Sequence, residues 1–273
     1  MKRHIFTLAA AVIAGLGGAS ASSPQYIALA DSADMYIKNE NWMVAEHTIV
    51  KALRLEPANF SNSLLFSNLG ICRTNRGDYN GALEAFDLGL SIAPGSSVIR
   101  NNRAKTYVMM RDYGNALSDL DESLKIDSVQ EWPLQMRGLL RMRNNDLDGA
   151  SRDFSLLLKK FPDNFAAMEG LGGIAEAQGR HDDAIKYYDE ALKMEDNPET
   201  RSARILIKIN TERFSDASAD IAESIKKYPD YSDFYVWRGY LHRLNYRNEE
   251  AQADKKNAIA KGADPQFVDQ FIP

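Results

Sequence analysis

The sequence repeats itself with a fixed step. An alanine followed four residues later by a large apolar residue recurs at Ala45/Ile49, Ala82/Phe86, Ala116/Leu120, Ala150/Phe154, Ala184/Tyr188 and Ala217/Ile221. Ala251 continues the series, with Lys255 in the apolar place. Successive alanines lie 37, 34, 34, 34, 33 and 34 residues apart. Chance does not hold such a phase over seven units. A period in this range restricts the chain to a stack of similar small blocks, none of which can bury its apolar face alone.

Other positions keep the same phase. Twelve residues before each alanine stand Ala33, Gly70, Ala104, Gly138, Gly172, Ile205 and Gly239, six of the seven being small. Seven residues after it stand Ala52, Gly89, Ser123, Leu157, Ala191, Ser224 and Ala258. Twelve after it, four units carry Pro57, Pro94, Pro162 and Pro229. The physical reading is a helix hairpin. Two helices approach closely only where side chains are small, so Gly or Ala of the first is expected against Ala of the second. The large residue one turn on is expected beside that contact, and proline ends the second helix. Short turns such as Arg76-Gly77-Asp78-Tyr79 and Gln178-Gly179-Arg180-His181 join the helices within a unit.

This pattern resembles the tetratricopeptide repeat, a 34-residue helix–turn–helix unit. Leu69-Gly70, Ala82, Phe86 and Pro94 carry the likeness, as do Leu171-Gly172, Ala184, Tyr188 and Ala191, and Ala104, Tyr107, Ala116 and Leu120. The likeness runs over residues 26–264. The array is assigned to residues 22–264, followed by a C-terminal apolar tail at 265–273. The resemblance implies an all-α fold, an α-solenoid of about seven helix hairpins wound into a right-handed superhelix. It further implies a concave groove lined by the first helices, where a protein or peptide partner binds. Asn68, Asn101, Lys105, Gln135, Met142, Tyr240 and Arg243 are the expected groove residues, a mixture of amides, Met and Tyr suited to adaptable contacts. Family members that clamp a C-terminal carboxylate use a Lys and Asn series of which only Asn68 stands here. Ala30, Asp34, Val98 and Asn102 occupy other places of that series, which disfavours it.

A second pattern rides on the first. Arg103, Arg137, Arg204 and Arg238 precede the small position, and Asp119, Asp153, Asp220 and Asp254 follow each by sixteen residues. Where leucine takes the arginine's place, at Leu69 and Leu171, the partner is Ala85 or Tyr187. That covariation within one chain predicts an intra-repeat ion pair in four units, with guanidinium favoured for a partly buried carboxylate. It argues against an arginine ladder for an anionic ligand, since each cation has a local anion.

The first residues read as an address. Met1-Lys2-Arg3-His4 is basic, Ile5 to Leu16 is uncharged and mostly apolar, and Ala19-Ser20-Ala21 offers small side chains to a protease. This order predicts a signal peptide at residues 1–21 and an exported bacterial protein, periplasmic or secreted. Cleavage removes Lys2 and Arg3 and takes the net charge from −5 to −7. An acidic chain is a poor binder of nucleic acid. In the tail, Phe267 and Phe271 are four apart, as are Val268 and Ile272, so one apolar face is expected there, covering the last repeat or docking elsewhere.

No constellation for chemistry stands out. The chain has one cysteine, Cys72, expected to be a buried hydrophobe, and His47, His181 and His242 show no metal-ligand spacing. No enzyme activity, metal or cofactor is therefore expected. The reading is an exported scaffold that binds a protein or peptide, with cell-envelope assembly or secretion as its setting. The alternative is an accessory subunit that presents polysaccharide or peptidoglycan to an enzyme, for which Trp42, Trp132 and Trp237 would have to be exposed in the groove.

Overall fold

The computed structural model describes residues 22–273, and these contain fifteen α-helices and no strand. The expected signal peptide at residues 1–21 lies outside the described residues. The helices pair along the chain: α1 (Pro24–Lys38) with α2 (Trp42–Leu55), α3 (Asn62–Asn75) with α4 (Tyr79–Ile92), and α5 (Ser97–Met109) with α6 (Tyr113–Ile126). Then follow α7 (Glu131–Arg143), α8 (Leu147–Lys160), and the pairs α9 (Phe165–Ala177) with α10 (His181–Met194) and α11 (Pro198–Asn210) with α12 (Phe214–Lys227). The last pair is α13 (Asp233–Leu244) with α14 (Asn248–Ala260), and α15 (Pro265–Phe271) ends the chain. The chain divides into two compact units, Met1–Arg137 and Gly138–Pro273, with the boundary inside α7. Within each unit, successive hairpins stack on one another.

Each hairpin turns on one residue in the left-handed region. Five residues before the repeat's alanine stand Glu40, Gly77, Arg111, Asn145, Gly179, Glu212 and Tyr246, and all seven have φ between 55° and 83°. Only two are glycine, so four of the turns force a residue other than Gly or Asn into a conformation that costs about 1–2 kcal/mol. The helix that follows is capped by an aspartate in three units. Asp78, Asp112 and Asp146 each accept from the backbone N–H three residues on. Pro57, Pro94, Pro162 and Pro229 each stand two residues past the end of a second helix.

In three hairpins the small position of the first helix lies beneath the large residue of the second. A Cβ built on Gly70 would stand 2.5 Å from the Phe86 ring. On Gly138 it would stand 2.7 Å from Phe154, and on Gly172 2.7 Å from Tyr188. In these three hairpins a ring is laid on bare backbone, and Gly239 also approaches the Ala251 carbonyl, 3.3 Å from a Cβ built there. The ring is the larger object, and its edge comes this near the helix backbone only where no Cβ intervenes. Phe154 is gripped from both sides, because Gly170 of the following hairpin would also meet it at 2.5 Å. In the sixth unit Ile205 and Ile221, both fully buried, share one core in place of the glycine and ring.

The seventh unit lacks a ring, since Lys255 holds that place, and α15 supplies the missing filling. Ile272 lies over Gly239, where a Cβ would come within 2.4 Å of it. Val268 is fully buried, Phe267 and Phe271 pack edge-on to Trp237, and Lys255 pairs with Asp269 at 2.7 Å. The apolar face of the tail therefore covers the last hairpin of its own chain.

The turn geometry sets opposite signs for two substitutions. Gly77→Ala should destabilise by about 1 kcal/mol, whereas Arg111→Gly should stabilise by a few tenths to about 1 kcal/mol. Denaturant unfolding of both variants checks this, and two changes of the same sign would contradict the left-handed turns.

Candidate functional site

First helices of neighbouring hairpins touch through side chains on one face. In the first unit Asn68 donates to Asp34 at 2.8 Å and Asn102 to Ser67 at 3.2 Å, both between successive first helices. The buried hydroxyls of Thr74 and Thr106 lie 2.7 Å apart. Asn101 donates to Gln130 at 2.6 Å, and Gln130 is held in turn by the Ser123 hydroxyl and the Asp127 carbonyl. The second unit shows the same device. Thr200 donates to Glu169 at 2.6 Å, and Trp237 donates to Ser202 at 2.7 Å. These contacts are hydrogen-bonded rungs between repeats, formed without ion pairing.

Of the seven expected groove residues, Asn68, Asn101, Lys105 and Gln135 lie in the first unit and Met142, Tyr240 and Arg243 in the second. Asn68 and Asn101 each donate to a neighbouring repeat. Lys105 is half-buried over the Trp132 ring, 4.8 Å from its centroid, and burial lowers its pKa. Gln135 and Met142 are half-buried. Tyr240 packs edge-on to Phe271, 5.4 Å between centroids, and Arg243 donates to the Phe271 carbonyl at 2.8 Å. The chain's own tail thus engages both, which corrects their assignment to an open groove. Sequence reading treated tail and groove separately and had no signal that joined them.

The tryptophans do not supply a sugar platform. Trp237 is 3% exposed, Trp42 packs against the core of the first hairpin, and Trp132 is half-buried with Lys105 on its face. The polysaccharide alternative rested on exposed indoles and loses that support.

The opposite seam, along the second helices, is ionic. Arg103 grips Asp119 with two hydrogen bonds, 2.8 Å from Nε and 2.7 Å from Nη2. Arg238 holds Asp254 in the same way at 2.9 and 2.6 Å, and Arg204 meets Asp220 at 3.0 Å. Asp119 and Asp254 are buried. Asp153, also buried, accepts from Arg141 at 2.8 Å. A further set was missed. The same arginines reach back to the preceding hairpin, Arg103 to Asp87, Arg137 to Asp121 and Arg204 to Asp189. The signal stood in the sequence, because each aspartate lies five residues past its repeat's alanine and only where an arginine follows in the next unit. The predicted intra-repeat pair is thus half of a staple that also binds neighbouring hairpins.

A separate cluster closes the loop before α11. Asp196 accepts from Arg201 and Lys227, and its carbonyl accepts from the Tyr228 hydroxyl. The Arg201 guanidinium holds the Asp196 carboxyl far below the usual carboxylate range. Cys72 is fully buried, and burial pushes its thiol up to about 12, which leaves it protonated and unreactive at neutral pH. Among the described residues, no group of three or more His, Cys, Asp or Glu could hold a metal ion, and no helix is long and apolar enough to cross a membrane.

Comparison with known proteins agrees with this geometry. Residues 136–199 match the family model described as tetratricopeptide repeat. A tetratricopeptide repeat protein from Parabacteroides merdae is similar in structure with a TM-score of 0.65 at 24% identity, covering 92% of this chain and 98% of that one. YrrB, described as a TPR protein with an unusual peptide-binding site, gives 0.56 at 18% identity over 69% of this chain and 97% of its own. Among curated proteins, a DnaJ homolog subfamily C member 7 homolog of Schizosaccharomyces pombe is 27% identical over 58% of this chain and 38% of its own length. A tetratricopeptide repeat protein 36 homolog of Drosophila pseudoobscura is 36% identical over 31% of this chain and 48% of its own. The chain spans less than half the length of these curated relatives. The family match covers residues 136–199, and the fold is that of tetratricopeptide repeat proteins.

The two halves of the arginine staple differ in burial, and that difference is measurable. Asp119 is 4% exposed in its side chain and Asp87 62%. Asp119→Ala should cost about 3 kcal/mol by stranding a half-buried guanidinium, whereas Asp87→Ala should cost no more than about 1 kcal/mol. Equal losses in chemical denaturation would contradict this ordering.

Proposed function

From the tetratricopeptide-type fold, we propose that this chain is a non-catalytic scaffold that binds a protein or peptide partner along the first-helix face of its hairpins. The observation that carries the reading is the division of labour between the two seams. The stack is held by apolar contacts inside each hairpin, glycine against ring in three of them, and by arginine staples to the second helices. The first-helix face of the first unit keeps Lys105, Trp132 and Gln135 half-buried beside exposed apolar side chains, among them Leu64 at 45% and Met109 at 53%. A half-wet surface of amide, cation, aromatic and apolar groups suits an extended peptide. The peptide-binding site ascribed to YrrB, a structural neighbour, supports the same use of the fold.

The setting is export to the periplasm or outside the cell, with envelope assembly or secretion as the task. The basic start, short apolar run and small residues before Ser22 support it.

One experiment on the full chain tests both parts. A photo-crosslinking amino acid is placed at Gln135, on the first-helix face, and in a control at Lys125, exposed on a second helix. Illumination in living cells should join a discrete partner at Gln135 and not at Lys125, in material whose first residue by mass spectrometry is Ser22. The same adducts at both positions would overturn the surface assignment. An intact Met1 in the envelope fraction would overturn cleavage.

A further inference from the structure

Ser22 and Ser23 are fastened to the loop that joins the first two hairpins. Asn59 gives its side-chain N–H groups to the Ser22 hydroxyl at 2.7 Å and to Glu56 Oε2 at 2.6 Å. Glu56 Oε1 accepts the Ser23 main-chain N–H at 2.7 Å. The network continues inward. The Tyr26 hydroxyl donates to buried Asn62 at 2.9 Å, and Asn62 donates to the Glu56 carbonyl at 2.7 Å. The segment leading into α1, the loop after α2 and the first residue of α3 are thus tied together.

Two features of this network depart from the other repeats. Two residues past Pro94 and Pro162, Ser96 and Asn164 cap the helix that follows by accepting one of its N–H groups. Asn59 holds the same place after Pro57, yet α3 has no side-chain cap and the Asn59 amide turns to Ser22 and Glu56 instead. Second, Glu56 collects donors but no cation. The Ser23 and Asn59 donors hold its carboxyl below the usual carboxylate range, so it is charged at neutral pH, and among the described residues no lysine or arginine pairs with it. The Ser22 main-chain nitrogen is one residue from the N–H that Glu56 holds, which keeps it within about 6 Å of this carboxylate.

We propose that Glu56 receives the amino terminus created by cleavage after Ala21, and that this ion pair completes the join between the first two hairpins only in the processed chain. It rests on that cleavage and says what cleavage does to the fold. Hydrolysis of the Ala21–Ser22 bond takes up one water and leaves a carboxylate on Ala21 and an amine on Ser22. The amine binds a proton at neutral pH, because such groups titrate near pH 8, with an ordinary value of about 7.7–8. Before cleavage the same nitrogen is an uncharged amide. Left alone, a positive charge two residues ahead of Pro24 would oppose the positive end of α1, whose first turn carries no acid. Glu56 offsets that repulsion from another segment and gains a charged donor beside its neutral ones. Processing thereby confines the finished join to the mature product.

The test uses the mature chain, purified after processing in cells, with its terminal amine either free or selectively acetylated. Two quantities are measured: the pKa of the amine by NMR titration, and the hydrogen exchange of the α1 and α2 amides at pH 7. The amine pKa should lie about one unit above its ordinary value and fall back in Glu56→Gln, which keeps an oxygen for the Ser23 N–H. Acetylation should speed exchange of those amides by up to about tenfold in the wild type and leave Glu56→Gln unmoved. The Gln variant with a free terminus should exchange like the acetylated wild type, which separates loss of the charge pair from loss of the fold. An ordinary amine pKa in the wild type, or exchange that acetylation does not change, overturns this inference while leaving export intact. Equal effects of acetylation in wild type and Glu56→Gln overturn Glu56 as the receptor. A product whose first residue is not Ser22 overturns the cleavage reading and this inference together.

Discussion

The structure depends on a ring lying on bare backbone. Phe86 on Gly70, Phe154 on Gly138 and Tyr188 on Gly172 set how near the two helices of a hairpin come, and that distance fixes where every other side chain points. Interiors are packed as densely as crystals of small molecules, so one added methyl group would have to displace a ring that is wedged on all sides. Phe154 shows how the contact spreads, because its two edges meet glycines of two successive hairpins. A single close contact thereby acts both as the fold of one block and as the join to the next.

With packing assigned to the inside of each hairpin, the two outer seams take different chemistry. Along the second helices the join is ionic and spans hairpins, as Arg103 shows by holding Asp119 of its own unit and Asp87 of the one before. Along the first helices the join is made by amide and hydroxyl donors, some on hydroxyls as in Thr74 to Thr106 and some on carboxylates as in Asn68 to Asp34. No rung on that side pairs a cation with an anion, so the Lys105 ammonium, set over the Trp132 ring, stands out there.

The fold was legible because its signals are local and repeated. Small residues, alanines and prolines in one phase specify helix, partner helix and stop, and the repetition averages out the departures. The ion pairs were half legible. The sixteen-residue offset to Asp119, Asp220 and Asp254 was visible, while the reach to Asp87, Asp121 and Asp189 crosses between units and shows only when positions in successive repeats are compared. The candidate site was least legible. Nothing in the local sequence says that Asn68 and Asn101 are committed to neighbouring repeats, or that Phe271 lies on Tyr240 and Arg243. Those facts depend on how side chains far apart in the chain compete for the same partner, and a one-dimensional pattern does not record such competition. Four of the seven left-handed turns were likewise hidden, since only Gly77, Asn145 and Gly179 announce themselves by residue type.

The unequal seams have a mechanical consequence. Asp87 is mostly in water, so dissolved salt screens its hold on Arg103, while the amide and hydroxyl rungs on the other side are indifferent to ionic strength. Within the first unit, then, brine slackens one edge of the stack and not the other. Such a ribbon behaves like a bimetallic strip, whose bend is governed by the medium rather than by heat.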